Sequence, residues 1–144
     1  MKLHLSILLA VALCLGCSPF GNRDVTKPTA AQIEEFTRCA NVSFPPSAQA
    51  VGWRESRGMD DALWLQVSLP AQDLNAFLKS SPFAESKLSN NNEARVYQFR
   101  AFFKIPPSKY RAGQERLPTS QVLNILIDES DPVVAVLYLM WHET

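Results

Sequence analysis

The chain has 144 residues, 47% of them hydrophobic and 19% charged, with 14 basic side chains against 14 acidic ones. A formal net charge of zero removes the general electrostatic case for nucleic-acid binding. The length suits a single domain that buries roughly two-thirds of its unfolded surface.

In chain order, Lys2 comes first and an apolar run, Leu5–Leu13, follows. The run is shorter than the about 20 apolar residues that cross a bilayer as a helix, and its basic start and small-residue end are the marks of a secretory signal. It closes in Leu13-Cys14-Leu15-Gly16-Cys17, which resembles the lipobox of bacterial lipoproteins, with Cys14 standing where that family usually has leucine. The resemblance implies cleavage after Gly16, diacylglycerol on the Cys17 thiol and a further acyl chain, such as palmitate, on its new amino group. Two or more acyl chains suffice for stable membrane anchoring. By the same resemblance, Ser18 in the next position implies an outer-membrane lipoprotein facing the periplasm. An ordinary cleaved signal is the alternative reading. Loss of the signal peptide, residues 1–16, takes Lys2 away and leaves acids in excess by one.

After Cys17 the run SPFGNRDVTKP has turn formers and mixed charge but no period, so 17–28 is expected to be a lipidated tether and 29–144 a single globular domain. Fully extended, residues 18–28 reach at most about 36–40 Å, which keeps the domain close to the membrane. Thr29 and Gln32 have capping-box spacing and open a helix carrying Ile33 and Phe36, which Phe44-Pro45-Pro46 stops. Val51 and Trp53 alternate with polar neighbours. Arg57-Gly58-Met59-Asp60-Asp61 makes a turn, and Leu63, Leu65, Val67 and Leu69 then share one face, so a hairpin is expected. Pro70 and Asp73 suit a first helical turn ahead of Leu74, Phe77 and Leu78, and Ser80-Ser81-Pro82 ends that helix.

Residues 84–93 read as a loop around three asparagines. A third strand is expected over 94–105, with Tyr97, Phe99, Phe103 and Ile105 on one side, followed by an irregular connection over 106–121. Residues 122–128 and 133–142 form a second hairpin about Glu129-Ser130-Asp131-Pro132. Its last strand is apolar on both faces and so belongs in the middle of the sheet. No internal repeat is present. The elements sum to an α+β fold, a mainly antiparallel sheet of about five strands with two packed helices.

Phe44-Pro45-Pro46-Ser47-Ala48, the stretch Asp61–Leu74 with Phe77-Leu78, and Ile127-Asp128 before Val136-Leu137-Tyr138 resemble a group of small bacterial envelope lipoproteins of unassigned role. That likeness implies fold and location, and it transfers no catalytic residue.

Few residues offer chemistry. With Cys14 cleaved away and Cys17 lipidated, Cys39 is the one remaining thiol. It is available for pairing between chains or as a nucleophile, but is expected to be a small buried hydrophobe beside Ile33 and Phe36. His142, the one histidine after the signal, cannot build a two-histidine metal site. A triad with Ser130 and Asp128 or Asp131 lacks the G-x-S-x-G elbow, and those residues already suit a turn. Asp60-Asp61 and Asp128-Glu129-Asp131 offer carboxylates for calcium or glycoside hydrolysis, and turn chemistry accounts for them equally well.

Charge is concentrated in one stretch. Between Arg95 and Arg116 six basic residues face one acid, Glu115, and Arg100, Phe102 and Lys104 fall opposite the apolar face of the expected strand. Arg100, Phe102, Lys104, Lys109 and Arg111 are the candidate partner-binding residues, suited to sugar rings, anionic headgroups or an acidic protein. A solvated strand face is the competing account. The expectation is therefore a monomeric, non-enzymatic lipoprotein without a cofactor. It would bind an envelope protein or peptidoglycan, with an immunity-type inhibitor or a carboxylate-based hydrolase as alternatives.

Overall fold

In this computed structural model, residues 21, 22, 24–85, 88–90, 92–103 and 105–144 are described, so Cys17 and Lys104 lie outside the described residues. The strands are β1 (Gly21–Asn22), β2 (Gln49–Arg57), β3 (Ala62–Pro70), β4 (Ser89–Asn90), β5 (Tyr110–Leu117), β6 (Gln121–Asp128) and β7 (Val134–Glu143). They form one sheet in the order β1-β2-β3-β7-β6-β5-β4, and every neighbouring pair is antiparallel. Helices α1 (Ala30–Ala40) and α2 (Leu74–Lys79) pack on one side, and a four-residue helix, α3 (Glu93–Val96), lies on the other. The fold is α+β, with five long strands and a two-residue strand at each edge.

α1 forms where its cap prescribes. The Thr29 hydroxyl accepts from Gln32 N at 3.3 Å, and the Gln32 side chain accepts from Thr29 N at 2.9 Å. Asn41 ends the helix in the left-handed region at φ 51°, a conformation asparagine tolerates well. Phe36 and Ala40 turn inward, and Phe36 meets the Trp53 ring edge-on at 6.5 Å. Cys39, one turn from Phe36, is partly buried against the same core.

The period of two along β3, β6 and β7 separates the two faces of the sheet. Leu63, Leu65, Val67, Leu69, Leu123, Ile125, Ile127, Leu137 and Leu139 point toward α1 and α2 and are almost wholly removed from water. We call this the inner face. On the outer face Tyr110, Ala112, Leu126 and Tyr138 form a second, smaller cluster with Phe99. Both faces of β7 are therefore covered, and it lies between β3 and β6 at the centre of the sheet.

Two elements differ from the sequence expectation. Residues 94–105 do not form a strand: α3 runs into a 3-10 turn over Tyr97–Phe99 and a bend. Val96, Phe99 and Phe103 satisfy helical spacing as well as Tyr97, Phe99 and Phe103 satisfy alternation, and Glu93 in the first turn favours the helix. The strand lies instead in 110–117, within the expected connection. There only Tyr110 and Ala112 are buried, and polar residues occupy most of the remaining positions. Within the stretch read as a tether, Gly21 pairs with Arg57, Asn22 pairs with Ser56, and Thr26 exchanges two backbone hydrogen bonds with Trp53, of 2.9 and 2.6 Å. No helix among the described residues is long and apolar enough to cross a membrane.

Candidate functional site

The outer face of the sheet is a lattice whose rows follow from strand register. Its upper row reads Ser56, Ala62, His142, Val122 and Arg116 from β2 to β5. The next reads Arg54, Trp64, Met140, Asn124 and Gln114, and the third reads Gly52, Gln66, Tyr138, Leu126 and Ala112. Segment 92–105 covers the lower rows. Phe99, Phe102 and Phe103 close around Tyr138 at ring distances of 6.2, 6.0 and 5.3 Å. Gly52 makes room for Phe102, since a Cβ there would lie 3.2 Å from its ring and 2.6 Å from Gln66 Oε1. The Trp64 indole donates to Gln98 O at 3.2 Å, and the Arg95 guanidinium donates to Asn124 Oδ1 and Gln114 Oε1 at 3.0 and 2.7 Å.

Burial under this cover has a chemical consequence at Tyr138. Desolvation pushes its hydroxyl pKa up to about 12, with a smaller contribution from the Asp128 carboxylate and an opposing hydrogen bond to Gln66. Two polar groups beneath the cover, Gln98 Oε1 and Asn124 Nδ2, are buried with no hydrogen-bond partner among the described residues. Each such group costs about 1–3 kcal/mol, and Trp53 Nε1 in the inner core is in the same position.

The charged groups divide between the two faces. Arg57 on the inner face meets Glu35, Asp61 and Glu55 at 2.8, 3.1 and 3.5 Å, and its proton is held more firmly than usual, chiefly through the Glu35 hydrogen bond. Arg111, also inward, forms a two-pronged pair with Glu129 at 2.7 and 3.1 Å. On the outer side the pattern reverses. Arg54 lies 5.2 Å over the Trp64 ring, Arg100 lies 4.2 Å over the Tyr97 ring, Arg95 rests on two neutral amides and Arg116 is exposed. Among the described residues, none of these four has a carboxylate at ion-pair distance.

The candidate binding residues read from the sequence are therefore separated. Arg100 is exposed on the cover, beside Tyr97, which is 65% exposed. Phe102 is half-buried beneath the cover, holding it down rather than facing a partner. Arg111 is committed to Glu129 on the opposite face, and Lys109 stands at the lower end of the sheet, where its carbonyl accepts from Glu129 N. Arg54 was missed by sequence reading, because strand register rather than proximity in the chain brings it to this face.

Groups weighed for catalysis are dispersed or engaged. Ser130 accepts from Ser108 N and Lys109 N at the lower end of the sheet. His142 stands at the upper end, about 20 Å away along the strands by register. Asp61 pairs with Arg57, Glu129 with Arg111, Asp128 accepts from Ser130 N, and Asp131 accepts from Val133 N and Val134 N. Asp60 is exposed in the hairpin turn. Among the described residues no group of three or more His, Cys, Asp or Glu side chains is placed to hold a metal ion. Comparison of the chain with protein-family models, with curated proteins and with solved structures finds no match.

Proposed function

We propose that this is a lipid-anchored, non-enzymatic binding module of the bacterial cell envelope, held to the outer membrane through Cys17 and facing the periplasm. The partner is an envelope protein or peptidoglycan. One observation carries the binding role: Arg100 stacked on an exposed Tyr97, on the outer surface of segment 92–105. Arginine and tyrosine are the residue types that dominate the energetics of protein interfaces, and here they are already paired in the free molecule. Ile105, on the same segment, is 83% exposed.

The anchor itself rests on the lipobox resemblance at Cys17. With Gly21 and Asn22 on the sheet edge, only residues 18–20 separate Cys17 from the fold, a reach of at most about 14 Å. A domain tied so closely meets partners at the membrane rather than across the periplasm.

Fractionation and crosslinking test the proposal. Cys17→Ser is expected to move the protein from the membrane pellet to the soluble fraction. A photo-crosslinking side chain at position 97 in intact cells is expected to capture a partner, and Arg100→Glu to abolish the capture. Membrane retention of Cys17→Ser refutes the anchor. Absence of any crosslink from position 97, with the fold intact, refutes the binding surface.

A further inference from the structure

We infer that the upper half of the outer sheet face is a docking site for an acidic polypeptide segment, contacted by Arg54, Arg95 and Arg116, with Arg100 of the cover adding positive charge on the same side of the sheet. The inference deepens the proposed binding role by naming the chemistry of the partner, and it rests on that role.

Three observations lead to it. The first is the reversal of charge pairing across the sheet. Inward strand arginines, Arg57 and Arg111, are neutralised by carboxylates at 2.7–3.5 Å. Outward ones, Arg54 and Arg116, with Arg95 and Arg100 of the cover, contact aromatic rings, amides or solvent. A guanidinium on an amide or a ring keeps its full charge, so a field of one sign builds up on this side.

The second is shape. A cleft of about 440 Å³ at the β5–β6–β7 end of the upper row is lined by Gln114, Arg116, Ser120, Gln121, His142 and Thr144, among others. Among the described residues, the side-chain hydrogen bonds of the cover reach Trp64, Asn124 and Gln114 of the second row, while in the upper row Ala62 and Val122 are buried and Arg116 is exposed. Among the described residues, two side-chain carboxylates lie at the margins of the face and the chain end lies in the cleft itself. Asp128 lies at its lower end beside Tyr138, Glu93 opens α3, and the chain end at Thr144 is tied to Ser120 O through its backbone N–H and its hydroxyl.

The third is spacing. Arg54 and Arg116 sit on β2 and β5, four strand intervals apart, or about 19 Å. An extended peptide presents side chains on one face about every 7 Å, so three or four acidic residues match the span between Arg54 in the second row and Arg116 in the upper one. The mixture of arginine with tryptophan and tyrosine also fits a protein partner, since those three residue types concentrate binding energy at protein interfaces.

The test uses the full chain in a zwitterionic detergent and fluorescein-labelled poly-L-glutamate as the probe, read by anisotropy. Binding is expected at low salt and weakens toward physiological ionic strength, where the screening length falls to about 8 Å. Arg54→Ala with Arg116→Ala is expected to weaken binding about tenfold, the equivalent of about 1.4 kcal/mol shared between two exposed contacts. Lys27→Ala with Lys79→Ala, which removes the same charge from exposed positions off this face, is expected to change it less than about twofold. A thermal melt of each variant checks the fold, and Arg116→Gln alone supplies a milder variant expected to show part of the loss. No binding at low salt overturns the inference, as do equal losses in the two double variants. Alginate, a polyuronate, binding as tightly as polyglutamate overturns the assignment to polypeptide. Capture from position 97 without polyglutamate binding leaves the binding module standing and removes only the acidic partner. The opposite result does the reverse.

Discussion

Phe99 holds the cover on the outer face. Fully excluded from solvent, its ring lies 6.2 Å from that of Tyr138 in a cluster with Tyr110, Ala112 and Leu126. Truncation to alanine removes a buried ring and leaves a cavity, a change that costs about 3–5 kcal/mol where the surroundings cannot close. The loss is expected to act locally. α3 has four residues and no side-chain hydrogen bond at its N-cap, so its backbone cannot hold the segment once the ring is gone. Phe99→Ala is therefore expected to release residues 97–102, whose amides lose hydrogen-exchange protection while those of β3, β6 and β7 keep theirs.

Tyr138 supplies a second readout of the same variant. Its folded-state pKa, about 12, stands above the ordinary phenol value of about 10, so the fold favours the neutral form. The associated stability, about 2–3 kcal/mol, is complete below about pH 10 and is lost as the pH rises toward 12. With the cover released, Tyr138 is expected to titrate near its ordinary value, seen by phenolate absorbance, and the alkaline fall in stability should flatten. A fall in unfolding free energy of less than about 1 kcal/mol in urea, together with an unchanged Tyr138 titration, would refute the reasoning.

Cys39→Ala is expected to leave a monomer with a cost of about 1 kcal/mol, and the wild-type thiol to react slowly with a disulfide reagent near neutral pH, since burial raises its pKa. A disulfide-linked dimer on non-reducing electrophoresis overturns that reading. Arg57→Ala leaves Glu35, Glu55 and Asp61 facing one another without their shared cation and is expected to lower stability by about 2–3 kcal/mol in urea denaturation. A loss below about 0.5 kcal/mol would mean that water screens the cluster fully. Thr29→Ala removes the cap of α1 and should cost about 1 kcal/mol.

Local chemistry was legible in the chain. The capping box at Thr29, the turn between Arg57 and Asp61, the period of two in β3 and the two-sided apolar run of β7 each rest on neighbours within a few residues, and each stands where the spacing placed it. Residues 94–105 were ambiguous because their apolar residues satisfy both periods. Only packing decides between them: the sheet presents Tyr138 and Gly52 as a seat for three phenylalanines, which a helical turn and bend can fill. β5 was hidden for the opposite reason. It has few buried residues, and its place comes from pairing with β6 rather than from its own pattern.

The candidate surface divides along the same line. Sequence alone marked a basic stretch and its arginines, because composition is a local property. Which of them keep free charge is set by what lies opposite in space. Glu129, eighteen residues downstream, neutralises Arg111, and Trp64 on the neighbouring strand receives Arg54, which lies far outside the basic stretch. Strand register turns each side chain to one face or the other, and a shift of one residue would exchange the paired and unpaired arginines. The existence of the charge was therefore written in the chain, and its direction only in the sheet.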